Sequence, residues 1–104
     1  MSFEVVFTAE ADEDLSRLYD HLLSRAQYLE DLETAERAID AVEAACAALA
    51  LSPLLFRRSR RRGALRRELV VPFGASGYVI EYEIAGPTLV VVLAVRHQRE
   101  QDYH

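Results

Sequence analysis

The 104 residues, 51% of them hydrophobic, suffice for one compact core without a metal or a disulfide, and the lone Cys46 excludes an internal bridge. The longest apolar run, 89–95, falls far short of the roughly 20 residues that a membrane-spanning helix needs, so a membrane partner is not expected. The net charge of −5 is unevenly divided: residues 1–50 hold twelve acids against Arg17, Arg25 and Arg37, a balance of −9 that leaves +4 for the remainder. The N-terminal Met1-Ser2-Phe3-Glu4 lacks the basic-then-apolar layout of an export signal, which predicts a cytoplasmic protein.

In chain order, an alternating run over 2–7 reads as a strand. Thr8 is a good helix N-cap, and Glu10, Asp12, Glu13 and Asp14 then fall in the first turns, where carboxylates favour the helix dipole. Leu15, Leu18, Leu22 and Ala26 recur at helical spacing, widened by Tyr19 and Leu23, and predict a helix over 9–28. A second periodic face, Ala35, Ile39, Val42, Cys46 and Leu49, carries alanine filler that lets a neighbour approach closely, and Pro53 ends it. The break between the helices is marked only by Glu30-Asp31.

Residues 54–63 read as a connector that is apolar at Leu54, Leu55 and Phe56 and then intensely basic, mobile when unbound. Three strands are predicted over 65–71, 78–84 and 88–95, with turns at 74–77 and at Gly86-Pro87. In the middle strand Tyr78, Ile80, Tyr82 and Ile84 alternate with Val79, Glu81 and Glu83, the period of a strand with one face in the core and one in water. The last strand is apolar on both faces, as an interior strand would be. The predicted fold is α+β, a single domain over 1–104 ordered β-α-α-β-β-β, with a helical hairpin on a largely antiparallel sheet.

Seven arginines between Arg57 and Arg67 strain one another unless an anion is near, so Arg57, Arg58, Arg60, Arg61 and Arg62 point to a partner. Protein carboxylates suit the overall acidic charge better than nucleic-acid phosphate, and no direct sequence-specific nucleic-acid contact is expected. A second cluster, Arg96, His97, Arg99 and Tyr103, has two readings. His97 as general acid or base with an arginine clamp would suit phosphodiester cleavage, whereas ordinary sheet-end hydrogen bonds and ion pairs to Glu100 or Asp102 need no function at all. Alternation along a continuing strand would send Arg96 and Gln98 to one side and His97 to the other. Tyr78 and Tyr82 read as core with the hydroxyl at the rim, Cys46 as a small core residue, and His21 and His104 offer no metal-ligand spacing, so neither metal nor cofactor is expected.

The ordered set formed by the strand Phe3-Glu4-Val5-Val6-Phe7-Thr8, Ala11 with Asp14-Leu15, Leu51-Ser52-Pro53, Leu65-Arg66-Arg67-Glu68-Leu69, Tyr78-Val79-Ile80-Glu81-Tyr82 and Val95-Arg96-His97-Gln98-Arg99 resembles the RelE/ParE superfamily of type II toxin–antitoxin toxins, its ParE branch above all. The resemblance implies a toxin held inactive by an antitoxin whose disordered tail folds onto it, with the helix pair and Leu54, Leu55, Phe56, Arg57, Arg58, Arg60, Arg61 and Arg62 as the expected contact. RelE-type members, which cleave mRNA in the ribosome, carry an arginine directly after the tyrosine of the Gly-Tyr strand start. Here Val79 follows Gly77-Tyr78, and an aliphatic group cannot stabilise transition-state charge on a phosphate. The tail cation of such enzymes falls near Gln98, with Arg96 and Arg99 close by.

ParE-type members instead block DNA gyrase, and that is the expected action, with Arg66, Arg67, Arg96 and Arg99 as candidate target contacts. A ribosome-dependent endoribonuclease using Arg96, His97, Arg99 and Tyr103, and a non-toxic antitoxin-binding module, are the alternatives.

Overall fold

The computed structural model describes residues 2–55, 57–58, 66–74 and 76–98. Its elements run β1 (Glu4–Phe7), α1 (Ala9–Ser24), α2 (Leu29–Leu49), a 3-10 turn (Pro53–Leu55), β2 (Arg57–Arg58), β3 (Arg66–Phe73), β4 (Ser76–Gly86) and β5 (Leu89–His97). The strands form one sheet in the order β1-β5-β4-β3-β2, parallel between β1 and β5 and antiparallel elsewhere. The expected α+β architecture is therefore present, with one addition: the connector, read as loop, contributes the two-residue β2. The remainder of the basic stretch, 59–65, lies outside the described residues, as do Phe56 and 99–104.

Thr8 caps α1 as its sequence position predicts, its Oγ1 accepting from the Ala11 N–H at 3.1 Å. The same hydroxyl donates to the Leu93 carbonyl at 3.3 Å. Leu93 is the extra residue of a β-bulge, because Glu81 pairs with Ala94 while Tyr82 pairs with Val92. β1 stops at Phe7, opposite Val92, so beyond that point β5 has no strand on its outer side among the described residues. Side chains of α1 take over there: Thr8 at Leu93, and Asp14, whose Oδ2 accepts from the Val95 N–H at 2.9 Å. Two polar residues at the start of a helix thus fix its position on the sheet, and Ala11 between them is fully buried.

α1 ends at Ser24, four residues before the predicted limit, and the break occupies 25–28. Glu30-Asp31 does not separate the helices. Asp31 lies in the first turn of α2, where Oδ2 accepts from the N–H groups of Gln27 and Tyr28 at 2.9 and 3.1 Å. Short polar residues that cap a helix and those that break one look alike in sequence. On α2 the buried residues are Ala35, Ala38, Val42, Cys46 and Leu49; Ile39, placed on this face from its spacing, is only half-buried, and Ala38, read as filler, is fully enclosed. A methyl group there lets the helix approach the sheet.

The helices cover Leu69, Val71, Tyr78, Ile80, Tyr82, Val90, Val92 and Val95. Side chains of this size contribute about 1.5–3 kcal/mol each when fully buried, and this face supplies most of the core. The Tyr82 hydroxyl, expected at the rim, is inside: it donates to the Pro53 carbonyl and holds the end of α2 against the sheet. Arg67 Nη1 donates to the Leu54 carbonyl at 3.2 Å, so the 3-10 turn is held from two neighbouring positions.

β3 and β4 approach too closely for a side chain near their turn. A Cβ on Gly77 would lie 2.2 Å from the Val71 carbonyl oxygen, and Gly74, at φ +60, makes the turn itself.

Candidate functional site

The sheet face away from the helices departs from expectation. Val79 and Glu81, assigned to a water-facing side by alternation, are each 1% exposed, and Glu68 is 1% exposed as well. Glu68 and Glu81 are register partners across β3 and β4. Like charges directly opposite one another destabilise a sheet, so this pair needs cations. Arg96 supplies one, its guanidinium 3.8 Å from Glu81 Oε2. The register adds Arg66 opposite Glu83. The result is a ladder of arginines and glutamates running across β3, β4 and β5.

The signal for this ladder was present in the sequence as Arg66, Glu68, Glu81 and Glu83 at period two on adjacent strands. What was missing was the register that sets them opposite each other and the burial of that face.

β5 extends through His97, so Arg96 and His97 sit in the strand rather than after it. Alternation separates them as expected. Arg96 pairs with Val79 and reaches Glu81, whereas His97 pairs with Tyr78 and meets its ring edge-on, centroids 5.5 Å apart at 88°. The Tyr78 ring also lies 6.2 Å from Phe73, and burial raises its phenol pKa above the usual value. A would-be acid or base and the nearest candidate cation therefore lie on opposite faces of one strand. Arg99 and Tyr103 fall outside the described residues.

Arg66 and Arg67, read as target contacts, are half-buried and point to opposite faces, Arg66 opposite Glu83 and Arg67 opposite Tyr82. Among the expected antitoxin contacts, Leu54 is 65% exposed, and Leu51 just before it is 73% exposed. These two leucines make an apolar step at the end of the helical layer. Cys46 is enclosed in α2, with its thiol pKa pushed up to about 11 by burial and then by Glu43, which suits packing rather than nucleophilic chemistry.

Between α1 and the end of β5 lies an open cleft of about 940 Å³. Its floor is apolar, with Leu18, Leu22, Tyr78 and Val95. Arg17, His21 and Arg25 stand along one side, with Arg96 and His97 at the β5 end. Asp14 is the sole carboxylate among the described lining residues, and both its oxygens are engaged, one by Arg17 and one by Val95.

Residues 5–102 match the family model described as the ParE toxin of the type II toxin–antitoxin system parDE. Two relatives from Caulobacter vibrioides are similar over most of their length. The toxin RelE3 is 38% identical over 91 residues, covering 88% of this chain and 89% of the relative. The toxin RelE1 is 36% identical over 101 residues, covering 97% and 99%. Among solved structures, a chain of the chromosomal ParDE toxin–antitoxin system of P. aeruginosa superposes with a TM-score of 0.71 at 17% identity, covering 91% of this chain and 95% of that one.

Proposed function

This chain belongs to the ParE toxin family of type II toxin–antitoxin systems, and we infer that it arrests growth by gripping DNA gyrase rather than by cutting RNA. The observation that carries this reading is the engagement of Arg96 by a buried carboxylate. Cleavage of a phosphodiester builds negative charge on the phosphate, and a site that promotes it meets that charge with cations or hydrogen-bond donors that are not turned to nearby carboxylates. Here Glu81 lies 3.8 Å from the Arg96 guanidinium, and Glu68 stands beside Glu81. An approaching phosphate would meet two buried acids. His97 faces the core side of the strand against Tyr78. The position that holds an arginine in RNA-cutting relatives carries Val79, fully enclosed and without charge.

A protein that acts by binding needs surface instead, and the exposed Leu51 and Leu54 with the basic stretch that follows supply apolar anchors and charge together. Membership of the family implies a cognate antitoxin. In this reading its tail covers Leu54, Leu55, Phe56 and the arginines through Arg62, while Arg66, Arg67, Arg96 and Arg99 remain the candidate contacts to the target.

The test is induction in a host lacking the antitoxin, followed by two assays on purified protein. Growth arrest with inhibited gyrase supercoiling and intact ribosome-bound mRNA is expected. Ribosome-dependent cleavage of mRNA that is lost on Arg96→Ala or His97→Ala would refute the reading. That ribonuclease alternative draws support from the RelE names of the two Caulobacter relatives.

A further inference from the structure

Residues 1–50 hold only three arginines, and two of them stand in one row: Arg17, His21 and Arg25 recur at intervals of four along α1 and its C-cap, over about 12 Å. Helix-dipole compensation accounts for His21 and Arg25, which lie in or just past the last turn, but its reach does not extend back to Arg17. The acids Glu10, Asp12, Glu13 and Asp20 are exposed elsewhere on the helix and do not line the cleft that this row borders. Positive potential is thus confined to the cleft, and the acidic surroundings repel a long polyanion while admitting a short one. The facing wall is a strand edge. The Val95 N–H turns outward to Asp14, past the end of β1, and in an antiparallel pair a residue's carbonyl points the same way as its N–H. With that N–H engaged, the edge lacks the donor that an added peptide strand needs, and Val95 offers the cleft a carbonyl acceptor.

We propose that the cleft between α1 and the end of β5 is a binding site for a nucleoside di- or triphosphate. The base lies on Leu18 and Leu22 with an N–H donating to the Val95 carbonyl, and the phosphates meet Arg17, His21 and Arg25. Each part of the cleft selects one feature of this ligand. Cations spread over about 12 Å suit more than one phosphate, the leucine floor suits a flat apolar body, and the strand-edge carbonyl suits the N–H groups that nucleobases carry. The volume of about 940 Å³ falls within the range of small-molecule sites. Asp14 does not oppose the anion, since its carboxylate is committed to Val95 and to Arg17, whose guanidinium keeps further N–H donors. This binding goes beyond the gyrase reading and does not rest on it.

The test is calorimetric titration of the full chain with ATP, tripolyphosphate and adenosine. ATP should bind at least about tenfold more tightly than either part alone, because phosphate and base contacts then act in one ligand. Arg17→Gln/Arg25→Gln removes two exposed charges from the cleft, and Arg60→Gln/Arg61→Gln removes two from the basic stretch. Circular dichroism verifies that each variant is folded. The cleft variant is expected to bind ATP about tenfold more weakly at low salt, having lost charge-assisted hydrogen bonds. That deficit should shrink several-fold near 1 M salt, where the screening length falls to about 3 Å. Arg60→Gln/Arg61→Gln should bind as the unaltered chain does. Amide shifts of Leu18 and Val95 on adding ATP place the ligand without any substitution. The proposal is overturned if ATP does not bind, if tripolyphosphate binds as tightly as ATP, or if the shifts avoid the cleft. It is equally overturned if affinity falls in the Arg60/Arg61 variant and not in the Arg17/Arg25 variant. Each of these failures leaves the gyrase reading intact, since none of the four arginines is a candidate target contact.

Discussion

Asp14→Ala should be the most damaging change among the polar positions of α1. The carboxylate performs two tasks of different weight. Its Oδ1 pairs with Arg17, a surface contact in which the arginine side chain is 72% exposed and which therefore contributes roughly 0–1 kcal/mol. Its Oδ2 accepts from the Val95 N–H at 2.9 Å, and Val95 is only 6% exposed. Removing that acceptor leaves a nearly buried amide without its hydrogen bond, and with a charged partner lost the cost is about 2–3 kcal/mol. For a domain of this size that corresponds to a fall in Tm of roughly 10–20 °C. Asp14→Asn retains an oxygen that can accept from Val95 and should lose only about 1 kcal/mol, since the charge assistance disappears but the bond does not. Arg17→Ala should lose less than about 0.5 kcal/mol.

Urea unfolding of the three variants, with amide exchange at Val95, measures the ordering directly. Agreement of Arg17→Ala with Asp14→Ala would locate the contribution in the surface pair and refute the argument. So would an Asp14→Ala midpoint indistinguishable from that of the unaltered chain.

Close packing and burial set two further expectations. Gly77→Ala places a methyl carbon 2.2 Å from the Val71 carbonyl oxygen, a backbone atom that cannot swing aside, and should lower stability by at least about 2 kcal/mol in urea unfolding. Gly74→Ala, with open space around its Cβ but φ +60, should lose about 1 kcal/mol, and equal losses at both sites would contradict the steric account. Tyr82 has its phenol pKa pushed up to about 12 by burial, with Arg67 drawing it partly back down. Because the folded form holds its proton more tightly than the unfolded chain, Tyr82 leaves stability unchanged below pH 10 and erodes it as pH rises from 10 towards 12. Tyr82→Phe should therefore flatten the alkaline limb of the stability profile while lowering the neutral plateau by about 1–3 kcal/mol through the orphaned Pro53 carbonyl. An alkaline slope identical in both proteins would contradict the assignment.

Much of the fold was legible because its determinants are local. Thr8 followed by four acids marks the start of α1, the Leu15, Leu18 and Leu22 spacing marks its inner face, and the alternation of Tyr78, Ile80 and Tyr82 marks the core side of β4. Each signal depends on neighbours within one or two turns, so the chain carries it without reference to anything distant. The membership of a toxin family was legible in the same way, through ordered short motifs that the family match then covered from residue 5 to 102.

The candidate site was only half legible, and the missing half is non-local. Period two correctly sends Arg96 and His97 to opposite faces, but nothing within a few residues of Glu81 reveals that Glu68 stands opposite it or that both are enclosed. Thr8 and Asp14 read as the opening of a helix; that they also satisfy Leu93 and Val95, 85 and 81 residues further on, depends on β1 ending early and β5 bulging at that point. Local periodicity decides which side of an element a residue occupies, because backbone geometry repeats within a regular helix or strand. Which residue it meets there is decided by register and by the layer above, and those exist only once the chain has closed on itself.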